Sequence, residues 1–125
     1  MKPSKHFNID ILKSITKGNN EMLLDYIKMY LELTPKEINQ LKKYFSGKDW
    51  DSLEIVAHNI KSKAGYMGIQ KMNELAVAIE EYNNKGDTGK SGLKDLIGKV
   101  EKLFSIVKTE LIQEKNRLGK KINKS

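Results

Sequence analysis

The chain of 125 residues has the length of one ordinary domain, which excludes a multidomain enzyme within this sequence. With 38% apolar and 31% charged residues, it is too apolar for a disordered chain and too charged for a membrane protein. The formal net charge is +7, and the absence of cysteine excludes disulfide scaffolds, cysteine-type zinc sites and thiol nucleophiles.

The apolar spacing is helical nearly throughout and predicts five helices, at about residues 9–16, 20–45, 50–67, 70–83 and 93–117. Asn8 is placed as the N-cap of the first helix, with Phe7 and Leu12 positioned as a hydrophobic staple. The period of the second helix continues across Pro35, which removes one backbone donor. We therefore expect either a kink at Pro35 or two abutting helices that share one direction.

The third predicted helix has Asp49 as its N-cap and ends at Gly68. Its apolar stripe consists of Trp50, Leu53, Val56, Ala57, Ile60, Ala64 and Met67. A loop rich in Gly, Asn and Asp is expected at residues 83–92. Long amphipathic helices with short connections predict an all-α antiparallel four-helix bundle, ordered up-down-up-down, with the short first helix added at its N-terminus.

We expect one domain over residues 1–125, with an ordered core at 8–118 and flexible tails at 1–7 and 119–125. No apolar run reaches the roughly 18 to 20 residues that a membrane span needs, and the N-terminus lacks the apolar core of a signal peptide. The expected location is therefore the cytoplasm.

His58 lies on the polar face of the third predicted helix. At about 100° per residue, the apolar stripe falls on the far side of the axis from His58. On the same face as His58, within about 60° of it, lie Glu54, Lys61, Ser62 and Gly65. We therefore expect an exposed histidine with a cation one turn later and a bare backbone patch two turns later.

Each of these residue types has a chemical use. An exposed imidazole keeps an unprotonated ring nitrogen available as a nucleophile at neutral pH. Lys61, three residues later, can pair with a phosphoryl group held on that ring. Gly65 costs about 1 kcal/mol relative to Ala inside a helix, and it lets another surface approach the ring. The alternative is that His58 is a solvated surface residue and Gly65 the start of a frayed helix end.

The segment Val56–Ile69, VAHNIKSKAGYMGI, followed by Leu75–Glu80, LAVAIE, resembles the signature of histidine phosphotransfer (HPt) domains. That signature is His-x-Leu-Lys-Gly-Ser-x-x-x-x-Gly, followed by a Leu and a Leu-Glu pair on the next helix. The turn Gly47–Trp50 and the position of Pro35 also resemble the family. The resemblance covers roughly residues 23–81.

The resemblance implies a phosphorelay carrier rather than an enzyme. It makes His58 the phosphoacceptor, which attacks the aspartyl phosphate of a receiver domain through Nε2, and Lys61 the cation beside the phosphoryl group. It makes Gly65 and Gly68 the small positions near the docking face. The docking surface is expected on the exposed face of the third helix, so Glu54 and Ser62 are also assigned to receiver docking. The implied partners are response-regulator receiver domains or a hybrid sensor histidine kinase, and the receiver supplies the Asp and Mg²⁺. No cofactor or metal is therefore expected on this chain, which has no nucleotide-binding apparatus.

Two residues depart from the family pattern. Ser62 stands where Gly is usual, and it is small enough for docking to survive. Lys63 stands where a small residue is usual, at the edge of the core stripe, so its stem is expected to pack while its ammonium reaches water. Ser62 as a nucleophile paired with His58 is disfavoured, because an orienting third group and an oxyanion hole are missing.

A second motif nearly fits a nucleotide-binding loop. Residues 84–91, NKGDTGKS, match G-x-x-x-x-G-K-[ST] except that Asn84 replaces the first Gly. A phosphate loop follows a buried strand, whereas this segment follows a predicted amphipathic helix. A flexible connection between helices is the favoured interpretation.

The basic C-terminus supports a different hypothesis, a binding module that contacts nucleic acid or an anionic surface. Residues 111–125 carry +4 of the net charge, from Lys115, Arg117, Lys120, Lys121 and Lys124 against Glu114. A solvated basic tail is the simpler interpretation, and a nucleic-acid partner is not the expectation. His6 has no partner at metal-ligand spacing and is assigned no role.

Overall fold

The computed structural model of the chain describes residues 6–124, which form five α-helices without a β-strand. They are α1 (Ile9–Thr16), α2 (Asn20–Ser46), α3 (Trp50–Met67), α4 (Gln70–Asn83) and α5 (Asp87–Lys124). The bounds of α1 to α4 agree with the predicted ones to within one residue.

Side-chain caps start the first three helices. Asn8, Asn19 and Asp49 each accept a backbone N–H from the first turn of α1, α2 and α3 respectively. The α2 helix continues unbroken through Pro35, so the alternative of two abutting helices is wrong. Thr34 and Ile38 are buried on either side of Pro35, and this packing outweighs the loss of one backbone hydrogen bond.

Helices α2 to α5 form the predicted antiparallel four-helix bundle. α3 packs against α2 and α4, and α5 closes the bundle against the same two helices. α1 lies outside this square, against α2 and α3. Phe7 and Leu12, the two residues of the predicted staple, are both buried in the core.

α5 begins earlier than predicted. Its first residue is Asp87, so the expected loop is reduced to the short connection after α4. Gly92 permits the close packing of this extra segment, because a Cβ there would lie only 2.5 Å from Cε2 of Tyr82.

α5 also ends later than predicted, at Lys124 rather than Arg117. Leu118 is buried, which gives this last part of the helix a place in the core. Of the two segments predicted to be flexible, residues 1–5 and 125 lie outside the described range. No helix within residues 6–124 is long and apolar enough to span a bilayer.

Candidate functional site

The packing of α3 places His58 on the outer surface of the bundle. The buried residues of α3 are Leu53, Val56, Ala57, Ile60, Ala64 and Met67, six of the seven residues of the predicted stripe. Trp50, the seventh, is partly buried and packs edge-on against Phe45. The side chain of His58 points away from this stripe and is 59% exposed.

A carboxylate from the neighbouring helix joins His58 to Lys61. The Nζ atom of Lys61 lies 2.9 Å from Oε1 of Glu80, on α4. The second carboxylate oxygen, Oε2, lies 3.5 Å from Nδ1 of His58. Glu80 therefore faces Nδ1, and Nε2 is the ring nitrogen directed away from the carboxylate.

Glu80 is a residue of the site to which the sequence interpretation assigned no role. It falls within the segment Leu75–Glu80 that carries the family resemblance, but its position beside His58 follows from tertiary packing. Because α3 and α4 are antiparallel, residues about equally far from their connection at Gly68 lie side by side. Counting outward from that connection would have paired His58 with Glu80.

The predicted small position at Gly65 is open. Gly65 is exposed, and a Cβ at this position would meet only Nδ2 of Asn73, at 3.9 Å. The same Nδ2 donates a hydrogen bond of 3.0 Å to the backbone carbonyl of Lys61, which ties α4 to the α3 turn between His58 and Gly65. Ser62 is exposed and Glu54 is half-buried, so both reach the surface on the histidine side of α3.

Gly68 has a structural role that the docking prediction did not include. It caps α3 with a left-handed φ of 70°, and its carbonyl accepts a hydrogen bond of 2.8 Å from the backbone N–H of Asn8. A Cβ at Gly68 would lie 2.1 Å from the carbonyl oxygen of Asn8. Glycine here lets the segment before α1 cross the end of α3.

Exposed apolar side chains beside the predicted docking residues were missed by the sequence analysis. Ile55, one turn before His58, is 63% exposed, and Ile11 of α1 is 44% exposed. Ile11 borders a groove of about 310 Å³ whose wall includes Gly65 and Asn73. The available signal was the departure of Ile55 from the apolar stripe of α3.

Lys63 is buried more fully than expected. Its ammonium pairs with Oε2 of Glu37 on α2, at 2.6 Å. The two side chains are only 15% and 11% exposed. The departure from the family pattern at Lys63 is thus accommodated by an acidic partner on the adjacent helix.

The segment that nearly matches a phosphate loop, residues 84–91, contributes a structural contact through Lys90. Lys90 donates hydrogen bonds of 2.6 and 3.0 Å to the carbonyl and side-chain oxygens of Asn83, and so caps the end of α4. Its ammonium also lies 4.4 Å from the centroid of the Trp50 ring. The segment follows a helix, as predicted, and not a strand.

The second histidine belongs to a different part of the molecule. Nδ1 of His6 lies 2.7 Å from Oε2 of Glu110, on α5. Within the described residues, no group of three or more His, Asp or Glu side chains is arranged to hold a metal ion. His58 therefore differs from His6 in being more exposed, 59% against 38%, and in facing Glu80 of α4.

A family model described as Hpt domain matches residues 25–114. The chain belongs to the Hpt domain family. It is 26% identical over 107 residues to the phosphorelay intermediate protein rdeA of Dictyostelium discoideum, covering 84% of this chain and 42% of that protein. It is 25% identical over 69 residues to the signal transduction histidine-protein kinase BarA of Shigella flexneri, covering 55% of this chain and 8% of BarA.

This Hpt chain thus spans less than half the length of the curated relatives it matches. Its fold matches the crystal structure of the HPT domain of a sensor hybrid histidine kinase from Shewanella, with a TM-score of 0.62. The match covers 86% of this chain and 95% of that one, at 21% sequence identity. The helical bundle predicted from the sequence is confirmed by this likeness.

Proposed function

We propose that this Hpt domain is a phosphorelay carrier that accepts a phosphoryl group on His58 and passes it to a second receiver domain. The observation that carries the proposal is the exposed imidazole, with Glu80 at Nδ1 and Lys61 held within the same cluster. Membership of the Hpt family supports it. The comparisons give no support to a nucleic-acid or anionic-surface function for the basic C-terminus.

In the proposed reaction, the lone pair of His58 Nε2 attacks the phosphorus of an aspartyl phosphate on the receiver. The Nε2–P bond forms, the P–O bond to the aspartate breaks, and its electron pair leaves with the aspartate as a carboxylate. Lys61 supplies a positive charge beside the phosphoryl group. The receiver supplies the aspartate and the Mg²⁺, and the chain acts as a carrier and not as a kinase.

The partners that fit this chemistry are receiver domains, free or within a hybrid histidine kinase. We place the docking surface on the exposed side of α3, around Glu54, Ser62 and Gly65. Ile55 adds an apolar contact beside the histidine, and the bare backbone at Gly65 allows close approach. Gly68 contributes to docking indirectly, because the packing of its backbone against Asn8 sets the shape of the end of α3.

The test is phosphorylation by an aspartyl-phosphorylated receiver, followed by intact-mass analysis of this chain. We expect the gain of one phosphoryl group that is labile in acid and stable in base. The chain has only two histidines, so His58→Gln should lose the gain and His6→Gln should keep it. Label on His58→Gln, or no label on the wild type with several active receivers, would refute the proposal.

A further inference from the structure

The carboxylate of Glu80 lies between the Lys61 ammonium and the His58 ring, and it is closer to the ammonium. Its Oε1 is 2.9 Å from the Lys61 ammonium, within ordinary hydrogen-bond range. Its Oε2 is 3.5 Å from His58 Nδ1, beyond the roughly 3.2 Å typical of a hydrogen bond. In the unphosphorylated protein, Glu80 is thus engaged by Lys61 more closely than by the ring.

Phosphorylation of His58 would change the charges on both sides of Glu80. If Nε2 takes the phosphoryl group and Nδ1 keeps its proton, the ring becomes cationic. The phosphoryl group brings between one and two negative charges to the far side of the ring. A cationic N–H then faces Glu80, and an anion attracts Lys61. Hydrogen bonds between charged groups are roughly twice as strong as those between neutral groups.

We propose that Glu80 is a positioning residue that exchanges partners during the phosphorelay, from the Lys61 ammonium in the unphosphorylated protein to the Nδ1–H of the phosphorylated His58 ring. This inference rests on the proposed function. The exchange releases Lys61 to the phosphoryl group at the moment when that group arrives. Glu80 has a cationic partner both before and after phosphorylation, first Lys61 and then the His58 ring. The negative charge of this half-buried side chain is therefore compensated in both states.

The exchange has a consequence for onward transfer. When the receiver aspartate attacks the phosphorus, the Nε2–P bond breaks and its electron pair returns to Nε2. With Nδ1 protonated, the leaving group is neutral imidazole, whereas without that proton it is an imidazolide anion and a much poorer leaving group. By retaining the Nδ1 proton, Glu80 keeps the phosphorylated ring ready to transfer. Besides Glu80 of α4, the charged residues within one turn of His58 on α3 are Glu54 and Lys61.

The experiment uses the full chain phosphorylated on His58 with potassium phosphoramidate. Ring ¹⁵N chemical shifts report the Nδ1 proton as a function of pH, and transfer to an unphosphorylated receiver is timed on the same samples. Glu80→Gln should lose the ring proton at a pH about one unit lower than the wild type, because a neighbouring negative charge has been removed. Transfer at about pH 8 should slow roughly 5- to 10-fold.

Glu81→Gln is the matched control. It removes the same charge from the next residue of α4, where the side chain is exposed and forms no ion pair with the rest of the described chain. It should behave as the wild type in both measurements. If the Nδ1 proton is lost at the same pH in Glu80→Gln and Glu81→Gln, the partner exchange is wrong. Because His58 is phosphorylated in both variants, that result would not contradict the carrier function.

Lys61→Met tests the other half of the exchange. It should keep the ring proton, because Glu80 remains, but its phosphohistidine should hydrolyse several-fold faster, because the phosphoryl group has lost its cation. Loss of the ring proton in Lys61→Met would overturn the inference, since Glu80 would then need Lys61 to act on the ring. If neither phosphoramidate nor any receiver phosphorylates His58, both the proposed function and the partner exchange are wrong.

Discussion

Alanine should have different effects at two nearby glycines, Gly65 in the last turn of α3 and Gly68 at its C-cap. At Gly68 the left-handed φ of 70° costs an L-residue about 1–2 kcal/mol. The new Cβ would lie 2.1 Å from the Asn8 carbonyl oxygen, so the segment before α1 must move. This movement breaks the bond from the Asn8 N–H to the Gly68 carbonyl, worth about 0.5–1.5 kcal/mol. Gly68→Ala should therefore lower the free energy of unfolding by roughly 1.5–3.5 kcal/mol.

Gly65→Ala is the control for this prediction. Its Cβ would meet no atom closer than 3.9 Å, and Ala is favoured over Gly inside a helix by up to about 1 kcal/mol. The stability of this variant should be unchanged or higher, although the added methyl group lies on the proposed docking surface and should slow phosphoryl transfer. Urea denaturation followed by circular dichroism measures both variants. Equal stability of the two would refute the steric and backbone reasoning at Gly68.

Four further predictions concern docking and stability. Raising the salt concentration should slow association with an acidic receiver, because the net charge is +7, and a rate independent of salt would show that charge does not steer docking. Ile55→Ser should weaken receiver binding with stability unchanged within about 0.5 kcal/mol, whereas Ile106→Ser, on α5, should leave binding intact as measured by calorimetry. Lys63→Met should destabilise by about 2–4 kcal/mol because it leaves Glu37 buried without its cation, and Glu37→Leu added to it should recover most of the loss in urea titrations. Burial raises the pKa of Tyr30, so the contribution of this residue to stability should be constant below about pH 10 and fall above it, because the unfolded chain ionises first; Tyr30→Phe should reduce that alkaline loss.

The helix bounds of α1 to α4 could be predicted because each is encoded locally. Asn8 and Asp49 are capping residues at the predicted starts, and the 3.6-residue apolar period of each segment identifies its buried face. The start of α5 was predicted late, because the Gly and Asn residues around 84–92 are typical of loops. The close packing of this segment against Tyr82, which Gly92 permits, is a tertiary contact and is not encoded locally.

The same division holds for the site. Helical geometry alone placed His58, Lys61 and Gly65 on one exposed face, because all three lie on one helix. It could not place Glu80, whose contacts depend on the register of α3 against α4. It also could not anticipate that Lys63 would find Glu37 on α2.

The sequence by itself determined the all-α class, the order of the helices and the surface on which the histidine lies, since these follow from periodicity and capping within single segments. The tertiary structure decided which charges surround that histidine. Ion pairs between helices depend on distances of a few ångströms across an interface, and only the packed bundle sets those distances. The contacts of the Glu80 carboxylate with both His58 and Lys61 therefore follow from the fold and not from any local motif.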